Sequence, residues 1–282
     1  MRSLEIIQDL CDIYLSYQIT EIDNGIDLLK QSIESELQGH NILYPGTIRS
    51  IGSFYGQKAL CLIENSHINE EAIISVNLSL MYSEVAIDLE IKKFCEDPSN
   101  NYSSHSFKKN FSIASALLYW AILMDNHNLA KKLARQVIYC LEQKTVLKGF
   151  PLSYDYFALW AYFKWSKIEP SIPLLLETAF KDLIDNWSES SPKLYKQVKR
   201  ICDIHCKELV DNDGKKFPAK LLLPPLTLLP LEVHVINKLR LLDGLDEIHV
   251  DHPLMHTNSA KIKDFKIVED DFLEEIQLSL YV

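Results

Sequence analysis

The chain reads as an all-α protein of stacked antiparallel helix pairs, either α-solenoid-like or an irregular helical bundle. Three observations predict this. Apolar residues recur at helical spacing along most of the 282 residues. The chain holds 8 glycines and 11 prolines, too few for a β-rich fold full of turns. The stretch Phe111–Gln143, FSIASALLYWAILMDNHNLAKKLARQVIYCLEQ, reads as two helices joined by a short polar link. Its first apolar face is Ile113, Leu117, Trp120 and Met124; its second is Leu129, Leu133, Val137 and Leu141. Asp125–Asn128 between them are turn formers, so the helices fold back as an αα-hairpin.

Taken in order, Leu4, Ile7, Leu10 (or Cys11) and Tyr14 form one helical face, and Ile22, Ile26, Leu29, Ile33 and Leu37 a second, with Gly39 suited to the stop. Tyr44-Pro45-Gly46 reads as a turn. Residues 47–63 and 69–94 predict two more helices, broken near Asn65-Ser66-His67. Gly52 and Gly56 in the first suit close helix–helix approach; a phosphate loop needs lysine after its last glycine, and Gln57 stands there. Residues 96–110 are polar and without period, which predicts a long loop between an N-terminal helical part (1–95) and a central and C-terminal one (111–282). The aromatic run Ser153–Trp165 and the segment IPLLLETAFKDLIDNW suggest a second helix pair. Ala116-Leu117 and Ala158-Leu159 lie 42 residues apart, a solenoid-like spacing.

Ser191-Pro192 is a helix start, followed by the face Leu194, Val198, Ile201, His205 and Leu209. Residues 221–230, LLLPPLTLLP, predict a buried, proline-broken extended segment. Leu231, Val235, Leu239 and Leu242 give the next helix, stopped by Gly244. The tail alternates in DEIHVDHPLM, which fits a short strand or an irregular segment; Phe272–Tyr281 fits helix or strand.

The six cysteines fall mostly within helical patterns, as reduced buried thiols of a cytoplasmic protein do. No run nears the roughly 18 uninterrupted apolar residues of a membrane helix, and the start lacks the pattern of a secretory signal. The net charge of −10 is uneven. Residues 1–40 hold eight acids against two bases, residues 243–275 ten against three, and residues 108–220 eighteen bases against twelve acids. Acidic ends argue against nucleic acid as the main ligand and suit a basic partner, although charge runs also simply solvate helix faces.

Several clusters are candidates for chemistry. Cys202, His205 and Cys206 lack the second pair of ligands that a zinc site needs, so core packing is the better reading. His249, Asp251, His252 and His256 would need a shared pocket to bind metal or move protons. Asp211-x-Asp213-Gly214 resembles the start of a calcium loop, but Lys220 stands where the closing glutamate belongs. The aromatics Trp120, Tyr154, Tyr156, Phe157, Trp160, Tyr162, Phe163 and Trp165 are too many for one helix face, which divides them between core and interface.

Three features together resemble a known family: the alanine-rich pair LLYWAILMDNHNLAKKLA, the aromatic helix FALWAYFKW, and the closing LPLEVHVINKLRLLDGLDEIHVDHPLM. Over residues 110–258 this order resembles the Immunity 49 family of bacterial polymorphic toxin systems. The resemblance implies an all-helical cytoplasmic protein that neutralises a cognate toxin by occluding or distorting its active site. It implies no catalysis, no cofactor and no metal. A basic toxin such as a nuclease would suit the acidic segments. The residues expected to face it are Asp246, Glu247, Asp251, Glu269, Asp270, Asp271, Glu274 and Glu275. Two other functions fit the sequence: a tetratricopeptide-like scaffold for protein partners, and an enzyme using His249, His252 and His256. The oligomeric state is left open.

Overall fold

A computed structural model describes residues 2–38, 44–65, 68–99, 101–176, 178–210 and 219–280, without the side chains of 101–103 and 178. Gly39, the Ser66-His67 break, the Asp211–Gly214 loop and Tyr281 lie outside the described residues. The chain is all-helical: thirteen α-helices, one 3₁₀ turn and no strand among the described residues.

The first two helices follow their apolar spacing. α1 (Arg2–Ser16) buries Ile7 and Tyr14, and α2 (Ile19–Gln38) buries Ile22, Ile26 and Ile33. Tyr44-Pro45-Gly46 is not a free turn: α3 (Pro45–Asn65) starts there, with proline in its first turn, where no backbone N–H is needed. α4 (Glu70–Glu96) is capped by Asn69, whose side chain accepts from the Ala72 N–H. It packs along α3. A Cβ on Gly52 would lie 3.0 Å from the Ser79 carbonyl, so this glycine serves the expected helix–helix approach. Gly56 serves a different one. A Cβ there would lie 2.3 Å from the Pro224 carbonyl, because the proline-broken segment crosses α3 at that point. That segment forms turns rather than an extended run, with Leu226, Leu228 and Leu229 buried.

α4 is buried nearly all round. By length and composition it is long and apolar enough to cross a membrane, and it is the one such helix among the described residues. In the fold it carries buried Ser75, Asn77, Ser79, Ser83, Glu84 and Glu90. Each of these last five makes a side-chain hydrogen bond within the protein.

The polar stretch 96–110 is the clearest departure from expectation. α5 (Asn101–Asn110) forms within it. Phe107 is fully buried and stacks on Phe94 at 4.2 Å between ring centroids. One anchoring ring gives no period, so the pattern did not predict the helix, and tertiary packing supplies what propensity does not.

The αα-hairpin forms as α6 (Ser112–Leu123) and α7 (His127–Glu142), with Asn126 capping α7 through the Leu129 N–H. α8 (Ser153–Ser166) packs on α6 and is buried nearly all round, with Asp155 paired to Lys220 at 2.9 Å. Of the expected second pair, Ile172–Leu176 is not helical. α9 (Thr178–Asp185) is short and packs chiefly on α10 (Ser191–Lys207), so the 42-residue spacing does not mark a repeated hairpin. α11 (Leu231–Leu242) lies against α6 and α8. Gly244, at φ +71°, ends it as expected.

From residue 245 the chain becomes a strap. It holds α12 (Pro253–His256), the 3₁₀ turn Ser259–Lys261, and α13 (Asp271–Ser279), and no strand forms in it. Leu273 and Ile276 of α13 join a core cluster with Ile22, Ile33, Ile48 and Ile51 from the first helices. A larger cluster gathers α4, α6, α8 and α11.

Candidate functional site

The strap is held by side chains rather than by a sheet. Asn77, fully buried on α4, uses its whole amide. Its Nδ2 donates to the carbonyls of Ile73 and Asp264, and its Oδ1 accepts from the Lys266 N–H at 2.9 Å and from Trp120 Nε1 at 3.3 Å. Glu64 at the end of α3 accepts from both the N–H and the hydroxyl of Ser259. Asp270 caps α13 through the Leu273 N–H, accepts from the Tyr82 hydroxyl at 2.9 Å, and lies 3.6 Å from Lys30. Two clefts lie along the strap, one lined also by α7 and the other by α11.

The first cleft has a volume of about 550 Å³. Met81, Trp120, Leu129 and Leu273 give it apolar walls, with Asn126 and Asn128 at the start of α7. Its charges are Glu84, Glu269, Asp270 and Glu274 against the one ammonium of Lys132. Lys132 bonds Glu84 at 2.7 Å and Asp88 at 3.0 Å, and Gln136 donates to the other oxygen of Asp88. Burial pushes the Glu84 carboxyl up, against Lys132, which pulls it down. Lys132 itself is raised: burial lowers it, but Glu84 and Asp88 outweigh burial. Glu269 and Glu274 stand exposed at the mouth, with no ion pair among the described residues.

The second cleft, about 610 Å³, lies between Leu123 at the end of α6, α11, and strap residues 247–265. Lys238, Lys261 and Lys263 line it together with Glu247. His234 is buried in its wall, and its Nε2 has no hydrogen-bond partner.

The eight acids expected to face a partner therefore divide. Glu269, Asp270 and Glu274 line the first cleft, and Asp270 is also tied into the fold. Asp271 and Glu275 are exposed on α13 outside the lining. Asp246, Glu247 and Asp251 lie along the strap, far from α13 in sequence. Glu247 is near His249 (3.9 Å) and Lys263 (3.7 Å), and Asp251 pairs with His256 at 3.0 Å.

The histidine cluster does not assemble. His249 and His256 are exposed, at 83% and 62% of their side-chain surface, while His252 is buried. His252 caps α12: its Nδ1 accepts from the Leu254 N–H, so its Nε2 carries the proton and donates to Asp203 at 3.3 Å. Among the described residues no group of three or more His, Cys, Asp or Glu is placed to hold a metal ion.

Cys202, His205 and Cys206 are core residues, as the helical pattern implied. His205 Nδ1 lies 2.8 Å from Glu232 and its Nε2 3.3 Å from the Thr227 carbonyl. Two oxygens face the two ring nitrogens, an arrangement that favours the protonated ring. Burial lowers its pKa, but Glu232 and the carbonyls outweigh burial and raise it. Burial pushes both thiols up, Cys206 to about 12, which leaves them protonated and poorly reactive. The aromatic set is also core: Trp120, Tyr154, Tyr156, Phe157, Tyr162, Phe163 and Trp165 are buried, and Trp160 is partly exposed.

No family model, curated protein or solved structure matches this chain.

Four residues that organise the site went unmarked in the sequence. Asn77 sits inside a 27-residue apolar helix, where a lone amide is easily passed over. Glu84 and Lys132 meet across 48 residues. His234 shares α11 with the apolar face but sits off it. A buried polar residue within an apolar helix was the available signal for all but Lys132, since such groups need partners from elsewhere.

Proposed function

We propose that this protein is a stoichiometric inhibitor: it binds a basic protein toxin and blocks its active site, with the acid-lined cleft receiving a lysine- or arginine-bearing segment. The observation that carries this reading is the charge of that cleft. Four carboxylates meet one lysine around apolar walls, and two of the four, Glu269 and Glu274, stand exposed at the mouth. A cationic side chain entering there would gain charge-assisted hydrogen bonds while its stem covers Leu129. The resemblance of residues 110–258 to the Immunity 49 family supports a toxin as the partner. An inhibitor of this kind needs a rigid surface and complementary charge, and no reaction of its own.

The test is co-expression and co-purification with the product of the neighbouring toxin gene. Rescue of growth and a one-to-one complex are expected. In Glu269→Gln/Glu274→Gln the association rate should fall roughly tenfold at low salt, and the difference should shrink near 0.5 M salt. No complex would end the toxin reading. A complex with unchanged association would move the contact away from this cleft.

A further inference from the structure

We propose that the second cleft is a binding site for a small organic acid with an apolar body, of the medium-chain carboxylate class. This goes beyond toxin binding and does not depend on it. Three observations converge on the site.

The first is its shape and lining. The volume of about 610 Å³ falls within the roughly 300–1,000 Å³ of small-molecule sites. Leu123, Met255 and Phe265 make an apolar floor, and the neighbouring Leu241 and Leu242 are 58% and 63% exposed at the rim. Two adjacent exposed leucines facing a cleft leave apolar surface that an alkyl or aryl body would cover.

The second is charge. Lys238, Lys261 and Lys263 meet a single lining carboxylate, Glu247. Two of these cations have weak or neutral partners: Lys263 lies 3.7 Å from Glu247, and Lys261 donates to the Asn258 amide. An incoming carboxylate would offer each a stronger acceptor.

The third is His234. It is buried in the cleft wall, and its Nε2 is without a partner, where nearly all buried polar atoms are satisfied. Burial holds this ring down to about 4, so at neutral pH it is an uncharged imidazole able to exchange a hydrogen bond with a ligand. An extended peptide is a poorer occupant. Its backbone would need a row of donors and acceptors, and no strand edge exists among the described residues to supply one.

The experiment is calorimetric titration of the full chain with sodium decanoate below its micellar concentration. Decan-1-ol and decyltrimethylammonium serve as chain-matched neutral and cationic probes, and N-acetyl-trileucine with a free carboxylate as the peptide probe. Saturable one-to-one binding of decanoate is expected, with a shift of the His234 ring resonance in protein carrying ¹⁵N-histidine. Lys261→Gln/Lys263→Gln, both at exposed positions, should bind decanoate about tenfold more weakly with an unchanged circular dichroism spectrum, the scale of one charged hydrogen bond. The proposal is overturned if decanoate does not saturate, if decanol or decyltrimethylammonium binds as well, if the double variant binds equally, or if the peptide acid binds more tightly than decanoate. None of these outcomes bears on toxin binding, which the Glu269 and Glu274 substitutions read in the other cleft.

Discussion

The two clefts are both lined in part by the strap and differ in sign. The α6–α7 hairpin contributes Leu123 to one and Asn126 and Asn128 to the other. The first collects four acids around one lysine; the second collects three lysines around one acid. Their buried titratable groups are matched in the opposite sense. Glu84 sits in the acidic cleft as a carboxylate that burial resists and one lysine sustains. His234 sits in the basic cleft as a ring that burial keeps neutral, since Glu232 and Glu247 do not offset burial and Lys263 adds to it. The same physical term, desolvation, therefore makes one cleft sensitive to rising pH and the other to falling pH.

The strap, which lines both clefts, is the place to break both at once. Asn77→Ala removes four hydrogen bonds and leaves the Lys266 N–H, the Asp264 carbonyl and Trp120 Nε1 without partners. Each buried orphan costs about 1–3 kcal/mol, and partial relaxation of the strap leaves an expected loss of about 3–4 kcal/mol in urea unfolding. Hydrogen exchange should speed up across residues 262–270 far more than in α6 or α7. Equal protection of strap and hairpin in the variant would show that the Asn77 amide does not hold the strap.

His234 separates the clefts by pH. Its folded pKa of about 4 lies below the unfolded value of roughly 6.5, so the folded state binds the proton less well than the unfolded chain. Its contribution is neutral above pH 6.5 and turns destabilising as pH falls, reaching about 3 kcal/mol near pH 4. His234→Phe should be close to wild type at pH 7.5 and gain relative to it by about that amount at pH 4, measured as the difference in urea unfolding free energy. His205 has the opposite sign: its raised pKa stabilises the fold at low pH and the effect fades as pH rises through the folded value. A difference between variant and wild type that does not change with pH would show that His234 titrates as an exposed histidine does.

Much of the framework was legible because it depends on local period. Ile22, Ile26 and Ile33 recur on one face and are buried together; the Asp125–Asn128 link interrupts two such faces and becomes the turn, with Asn126 as cap. The strap was not legible. Its backbone partners are Asn77, Glu64 and Met81, more than 180 residues earlier in the chain, so no short-range pattern could mark it as ordered. α5 failed for a related reason, since Phe107 packs on Phe94 and Phe111 with little else apolar around it. The acidity of residues 269–275 was plain in the sequence. That it lies beside the buried Glu84 and its partner Lys132, and that Asp270 caps a helix while Glu269 stands free, needed the fold. The histidines near residue 252 looked like a cluster because they are close in sequence; His252 turned inward to cap α12 and bond Asp203, which separates it from the other two.

Lys132 offers the mirror of the His234 experiment in the acidic cleft. Lys132→Met keeps most of the aliphatic stem and deletes the ammonium that bonds both Glu84 and Asp88. Asp88 keeps the Gln136 amide, whereas Glu84 is left buried among apolar walls without its cation. A carboxyl whose folded pKa is raised contributes stability fully below its unfolded value near 4.3, and that contribution is lost as pH rises through the folded value. Removing the ammonium raises the folded value further. The variant should therefore be near wild type at pH 4.5 and weaker by about 2 kcal/mol at pH 8, the cost of an unpaired buried group reduced by the partial exposure of Lys132. Unfolding curves at the two pH values decide it. A deficit equal at both would assign the Lys132 contribution to packing of its stem rather than to the charge of Glu84.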